Sequence, residues 1–174
     1  DKYDLTPKKI ALISNASALH DVGKISIPSE ILNKQGKLTD EEFEIMKSHT
    51  VEGAKMLKDI TYRSNEPLIH ISYEICRWHH ERFDGKGYPD GLKGEEIPIA
   101  AQVVALADVY DALTSKRVYK PSLPHAKAVE MILNGACGAF NPLLLNCFKD
   151  CNKELDKKLK EVSFDDAVEN SIQN

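Results

Sequence analysis

Apolar residues recur at helical spacing along almost the whole of this 174-residue chain, whereas strict alternation over four or more residues is rare. Helical spacing places apolar side chains on one face of a helix, whereas a half-buried strand requires alternation. The pattern therefore predicts an all-α fold with about six main helices. The length suits one domain, which we expect over residues 1–162, followed by a polar tail over residues 163–174.

Local signals predict where the helices begin and end. Pro7 suits a first helical turn, Thr39 with Glu42 forms a capping box, and Asn141 before Pro142 suits an N-cap. The expected helices run over residues 6–22, 39 to 57 or 59, 67–82, 98–115, 122–134 and 141–162. Between two of them, the segment DGKGYPDGLKGEEI holds four glycines in fourteen residues, which predicts a shaped loop.

Charge and hydropathy exclude several classes of partner. Lys and Arg number 23 against 27 Asp and Glu, a net charge of −4, so no basic field would attract DNA or RNA. No apolar run reaches the ~20 residues of a membrane span, and the four cysteines include no CxxC pair. We therefore expect a cytoplasmic location and no membrane segment in this chain, and any anionic ligand must be held by local cations.

Histidine and aspartate residues fall on apolar faces of the expected helices, where an ionisable group is costly unless it is paired. A lone inward histidine is usually a hydrogen-bonded core residue. Several such residues in one small core, without a cation, would each cost ~1–3 kcal/mol, and net stability is only ~5–15 kcal/mol. Four segments present such side chains inward: His20, Asp21, His49, His79, His80 and Asp108.

The residue types indicate which cations this cluster would bind. Neutral imidazoles and carboxylates, with no thiolate among them, suit Fe, Mn, Ni or Zn. A carboxylate can also bridge two cations, which an imidazole cannot do. The composition of the cluster therefore favours a binuclear metal centre.

Long stretches of the chain resemble the HD-GYP domains, a branch of the HD metallohydrolase superfamily. The motifs that carry the resemblance are ALHDVGKISIP, HTVEGAKML, WHHERFDGKGYPDGLKGEEIP, ALADVYDALTSKRVYK and GAFNP. The resemblance implies an HD-domain helical bundle in which the six inward residues bind metal and Asp21 is the bridge. It implies that Lys24 lies beside the metals and contacts the substrate, and that Arg117 and Lys120 hold the substrate phosphate. It also implies that Tyr88, in the signature loop, binds the substrate; the ring would either stack on a guanine or fill a hydrophobic gap. Asp111, one turn after Asp108, would orient a ligand or Lys24.

The resemblance also implies a reaction, the hydrolysis of the bacterial signalling nucleotide cyclic di-GMP to pGpG, to GMP, or to both. A hydroxide that bridges two divalent transition metals, Fe or Mn before Zn or Ni, would attack the phosphodiester. Asp21 and Lys24 would be the catalytic residues, with Lys24 the first candidate for protonating the leaving oxygen. The implied partners are the substrate and cyclic-dinucleotide synthase domains, and a homodimer is a further expectation.

The resemblance is incomplete at the N-terminus. HD-GYP domains carry a further helix upstream with a glutamate and a histidine that bind metal, and residues 1–19 contain neither residue type. We therefore expect an N-terminally incomplete domain without a third metal, which is weakly active or inactive until that helix is restored. The alternatives are a catalytically weak module that binds a cyclic dinucleotide or a protein partner, and a hydrolase of another cyclic dinucleotide. A purely structural helical protein would not explain the six inward residues.

Overall fold

The computed structural model describes the backbone of residues 2–61, 66–115 and 122–172, and the side chains of these residues except 61 and 162–172. Within these ranges the chain forms α-helices and two 3₁₀ turns and no strand, so the all-α prediction is confirmed. The helices are α1 (Pro7–Ser17), α2 (Ser29–Leu32), α3 (Asp40–Thr61), α4 (Pro67–Trp78), α5 (Ile99–Thr114), α6 (His125–Leu133) and α7 (Pro142–Ile172). The 3₁₀ turns are Val22–Ser26 and Gly94–Glu96.

The predicted caps are present. The Thr39 hydroxyl accepts a hydrogen bond from the backbone N–H of Glu42 at 3.2 Å, and the Glu42 carboxylate accepts one from the Thr39 N–H at 2.8 Å. Asn141 Oδ1 accepts from the N–H of Leu143 at 2.9 Å and so caps α7. The Asn141 amide also donates to Gln102 on α5 at 2.8 Å. These two caps therefore fix the starts of α3 and α7, and Asn141 also attaches the start of α7 to α5.

Helix α5 is the central element. Its Ala100 and Val104 pack with Ile75 of α4 and with residues of α1 in one buried cluster. Its Leu106 and Leu113 belong to a second cluster, to which α6 and α7 contribute Ala128, Ile132 and Phe148. Because α5 contributes to both clusters, Asp108 on the same helix is held by the core on each side of it.

Two helices end earlier than predicted, and one continues further. Helix α1 ends at Ser17 rather than near Val22, so His20 and Asp21 lie in a turn. Helix α4 ends at Trp78 rather than near Arg82, which leaves His80 beyond it. In both places backbone hydrogen bonds to the third preceding residue replace the helical pattern, as from the N–H of His20 to the carbonyl of Ser17.

The backbone of α7 remains helical to Ile172, beyond the predicted end near Val162. How residues 163–174 relate to the domain stays a prediction. None of the helices in the described ranges combines the length and the apolar character that a membrane span requires.

Candidate metal centre

Asp21 immediately precedes the Val22–Ser26 turn, which packs unusually closely against α3. A Cβ on Gly23 would lie 1.9 Å from the carbonyl oxygen of His49. On α3, a Cβ on Gly53 would lie 2.9 Å from the backbone nitrogen of Gly23. Both positions must be glycine for the two backbones to approach this closely. The close packing brings Asp21 beside His49.

The Asp21 carboxylate lies at the centre of the cluster. Its Oδ1 is 3.4 Å from Nε2 of His49 and 3.9 Å from Nε2 of His79. Its Oδ2 is 3.2 Å from Nε2 of His20. Asp108, from α5, places Oδ1 3.8 Å from Nε2 of His20. The structure thus brings together side chains from the turn after α1, from α3, from the end of α4 and from α5.

Three of the imidazoles are oriented by the backbone of their own segment. In each, Nδ1 lies within hydrogen-bonding distance of a carbonyl about one turn earlier: His20 with Ser17 at 2.8 Å, His49 with Met46 at 2.7 Å and His79 with Ile75 at 3.0 Å. A carbonyl can only accept, so Nδ1 carries the proton. In His49 and His79, Nε2 is thereby left with its lone pair towards the cluster, which is how metal-binding histidines are commonly held. Nε2 of His20 instead lies 3.2 Å from Asp21 Oδ2, close enough to share a proton with that carboxylate.

Three atoms at the centre test whether the cluster fits a metal. In the part of the chain that the structure describes, Asp21 Oδ1, His49 Nε2 and His79 Nε2 are buried and have no hydrogen-bond partner. All three carry lone pairs, and the carboxylate oxygen lies less than 4 Å from each nitrogen. Such an arrangement is repulsive by itself, and a divalent cation between the atoms would satisfy all of them. The residues therefore fit a metal.

The electrostatics of the imidazoles agree with this reading. Burial lowers the pKa of His79 to about 4, with the neighbouring His20 and His49 adding to the effect. Burial also lowers the pKa of His49 and of His80. Metal binding requires the neutral ring, so these three histidines are already in the form that binds a cation.

Asp21 and His20 form a closer pair. Burial by itself would raise the pKa of the Asp21 carboxyl, but hydrogen bonds from His20 and Lys24 outweigh it and hold the pKa well below its usual range. The same hydrogen bond to Asp21 raises the pKa of His20. Asp21 is therefore an ionised carboxylate with positive charge beside it, and a cation can replace the proton shared with His20.

His80 completes the group from just beyond the end of α4. Its ring centroid is 4.0 Å from that of His79 and 5.2 Å from that of His49. These three histidines can each place one ring nitrogen within 4.8 Å of the others. On its other side the Tyr88 ring packs against His80 at 4.9 Å, with the planes tilted by 34°. The loop that contains Tyr88 thus contacts the candidate ligands directly.

Glu81, which the sequence pattern did not single out, holds this loop. Its side chain is only 5% exposed. Its Oε1 accepts hydrogen bonds from the backbone N–H groups of Asp90 at 2.7 Å and Gly91 at 2.9 Å. A Cβ on Gly87 would lie 2.4 Å from the Glu81 backbone, so the loop folds directly onto the segment that carries His80. The signal available in the sequence was the place of Glu81 in HHERFDGKGYPDG.

Asp90 fixes the far side of the loop to α4. Arg77 donates two hydrogen bonds to the Asp90 carboxylate, from Nε and Nη2, both at 2.8 Å. The indole Nε1 of Trp78 donates a third at 2.7 Å. Arg77 and Trp78 directly precede His79 in the chain. The position of the loop is therefore linked to the position of this candidate metal ligand.

A cavity of about 180 Å³ opens beside the cluster. The candidate ligands His79, His80 and Asp108 border it on one side. Tyr88 of the glycine-rich loop and, from the segment before α7, Cys137 and Phe140 border it on the other. Its size suits part of a nucleotide rather than a whole dinucleotide, since pockets for drug-sized ligands hold roughly 300–1,000 Å³.

The other predicted site residues differ in how close they lie to the cluster. Lys24 Nζ lies 2.5 Å from Asp21 Oδ2, so it reaches the cluster. Asp111 is exposed, and its carboxylate accepts a hydrogen bond from the Ser115 hydroxyl at 2.7 Å. Its predicted role in orienting a ligand or Lys24 stays a prediction. Arg117 and Lys120 lie outside the described residues.

Comparison with known families defines the class of protein. Residues 2–142 match the family model described as HD domain. The chain therefore belongs to the HD domain family.

Similarity to individual proteins shows which branch of the HD domain family the chain resembles. The chain is 47% identical over 145 residues to a cyclic di-GMP phosphodiesterase of Vibrio cholerae serotype O1, covering 83% of the chain and 30% of that protein. It is 41% identical to 3′3′-cGAMP-specific phosphodiesterase 2 of the same organism, covering 82% of the chain and 27% of that protein. It also resembles the solved structure of Bd1817, a HDG"Y"P protein from Bdellovibrio bacteriovorus, with a TM-score of 0.65, 25% identity and coverage of 88% and 46%. The predicted membership of the HD-GYP branch is confirmed, and the chain spans less than half of these relatives.

Proposed function

We propose that this domain hydrolyses cyclic di-GMP in a metal-dependent reaction. The observation that carries the proposal is the set of buried lone pairs on Asp21, His49 and His79, which face one another without a hydrogen-bond partner in the described chain. Each unsatisfied buried group costs about 1–3 kcal/mol, and cations bound between these atoms would remove that cost. The similarity to a cyclic di-GMP phosphodiesterase supports the choice of substrate.

The six inward residues would bind the cations, and the Asp21 carboxylate would bridge them. Two divalent transition metals, Fe or Mn in preference to Zn or Ni, suit this set of nitrogen and oxygen donors. When bound, they would lower the pKa of a water molecule and neutralise charge on a phosphodiester. The number and identity of the metals are part of the proposal.

Lys24 would act on the substrate side of Asp21. Its Nζ contacts the Asp21 carboxylate and its side chain is 40% exposed, so the ammonium group is held beside the cluster by a side chain that solvent still reaches. An ammonium group there can donate a proton or hydrogen bond to the leaving oxygen. Arg117 and Lys120 are proposed to hold substrate phosphate, which a protein of net charge −4 must do with local cations.

A related substrate is the second candidate. The 41% identity to a 3′3′-cGAMP-specific phosphodiesterase favours a mixed cyclic dinucleotide over an unrelated nucleotide. Direct comparison of the two cyclic dinucleotides decides between them. The expected synthase partner, homodimer, cytoplasmic location and domain boundary at residue 162 remain predictions within the same proposal.

The test is turnover of cyclic di-GMP by the full-length protein that contains this domain, called the parent protein below, with Mn²⁺ or Fe²⁺, followed as pGpG and GMP by chromatography. His49→Ala should lower kcat/KM by at least about a hundredfold, since even residues that only support metal ligands contribute roughly 10–100-fold. The matched control is His70→Ala, because the His70 side chain is 66% exposed and is paired with Glu74. Equal rates for His49→Ala and the wild type would refute the assignment. Running this chain beside the parent protein tests the expected need for an upstream helix.

A further inference from the structure

A row of three aromatic rings leads from the metal centre to the protein surface. The Tyr88 ring packs on His80, and its other neighbour is Phe43 of α3, with centroids 6.4 Å apart and planes at 81°. Phe43 is 45% exposed, which is unusual for a phenylalanine. Its ring therefore offers open apolar surface two ring contacts away from a candidate metal ligand.

A positive charge lies over the same rings. Lys47, one turn after Phe43, places Nζ 5.0 Å from the centroid of Phe43 and 5.6 Å from that of Tyr88. Glu44 holds the Lys47 ammonium group at 2.6 Å. An exposed ring combined with a cation is the arrangement with which proteins stack nucleobases beside a phosphate backbone.

Helix capping gives Phe43 a competing role. Thr39 is the N-cap of α3, so Phe43 is the fourth helical residue and Leu38 precedes the cap. Apolar residues at these two positions often pack together and stabilise the helix start. That role requires only an apolar side chain, and it gives no reason for an aromatic ring directed at Tyr88. The two roles can therefore be separated by a substitution that keeps Phe43 apolar but removes the ring.

We propose that Phe43 and Lys47 form a nucleobase subsite of the metal centre. One base of the cyclic dinucleotide stacks on the Phe43 ring, and Lys47 adds positive charge at its edge. Tyr88 supports Phe43 from the side of His80. This inference rests on the proposed function, because it needs a nucleotide whose phosphodiester lies at the cations.

The test compares Phe43→Leu, which keeps an apolar residue near the cap, with Phe43→Trp, which keeps a ring. Steady-state rates of the parent protein are measured with cyclic di-GMP and with bis(p-nitrophenyl) phosphate, a diester without a base. Loss of base stacking should raise the KM for cyclic di-GMP about tenfold in Phe43→Leu, with a smaller effect on kcat. Phe43→Trp should stay within about threefold of the wild type. The loss in Phe43→Leu should be larger for cyclic di-GMP than for the base-free diester.

Ile45→Ala is the control, because Ile45 lies on the same helix and is 42% exposed. A KM in Phe43→Leu equal to that of the wild type would overturn the inference and leave Phe43 as a helix-capping residue. If the wild type hydrolyses neither diester, the proposed function fails. In that case calorimetric titration with cyclic di-GMP still decides the inference: weaker binding by Phe43→Leu supports it, and equal binding or none in the wild type overturns it.

Discussion

Replacing Gly23 with alanine tests how the metal centre is assembled. The new Cβ would lie 1.9 Å from the carbonyl oxygen of His49 and 2.5 Å from the backbone nitrogen of Gly53. Close contacts between carbon and a carbonyl oxygen are about 3.3–3.6 Å, so the turn must move by roughly 1.4 Å. Both contacts are with helix backbone, which cannot rotate away as a side chain would.

This displacement has two expected consequences. Overpacking of a core typically costs ~1–3 kcal/mol, and a collision with backbone on two sides should reach the upper end of that range. The movement would also separate Asp21 from Nε2 of His49, now 3.4 Å from its Oδ1. A misplacement of about 1 Å can lower a rate about a hundredfold, so we expect a loss of that order together with loss of bound metal.

Urea unfolding, bound metal and turnover of cyclic di-GMP are measured on Gly23→Ala and on a control, Gly36→Ala. Gly36 has φ +124°, and a Cβ added there would meet no atom within 4 Å, so its replacement strains the backbone without a collision. That strain should cost about 1–3 kcal/mol and leave metal content and turnover as they are. A Gly23→Ala protein with wild-type stability and full metal content would refute the reasoning.

Three further results are expected. Asn141→Ala should lower the free energy of unfolding by about 2 kcal/mol, since it removes a helix cap and a buried amide; a urea titration showing less than about 0.5 kcal/mol would contradict this. Asp90→Ala should shift the fluorescence of Trp78, the one tryptophan of the chain, because its indole loses a hydrogen-bond acceptor; unchanged emission would argue against the loop attachment. Burial raises the pKa of the Cys76 thiol to about 11, so Ellman's reagent at pH 8 should modify the exposed Cys147 promptly and Cys76 only on unfolding. Equal rates for the two thiols would be inconsistent with the structure.

The helices were largely predictable because their signals are local. The capping box at Thr39 and the N-cap at Asn141 act within one turn of the chain, and both are present. The early ends of α1 and α4 were not predictable from periodicity. There, backbone hydrogen bonds to the third preceding residue, from His20 to Ser17 and from Glu81 to Trp78, replace the helical pattern, and the spacing of apolar residues carries no signal for that change.

The candidate metal ligands could be predicted from the sequence, but the residues that surround and support them could not. Helical spacing identified His49 and Asp108 as inward residues because a face of a helix can be read from one segment alone. It could not identify Glu81, whose burial depends on a loop that returns over it. Phe43 was also missed, since only the folded loop brings Tyr88 beside it.

Elemental analysis of the purified parent protein tests the central claim most directly. We predict about two equivalents of Fe or Mn per chain, and well under one in Asp21→Asn, since the bridging carboxylate is lost. His70→Ala should retain the wild-type content, because His70 lies on the surface. A wild-type protein without bound transition metal, or full metal content in Asp21→Asn, would contradict the account.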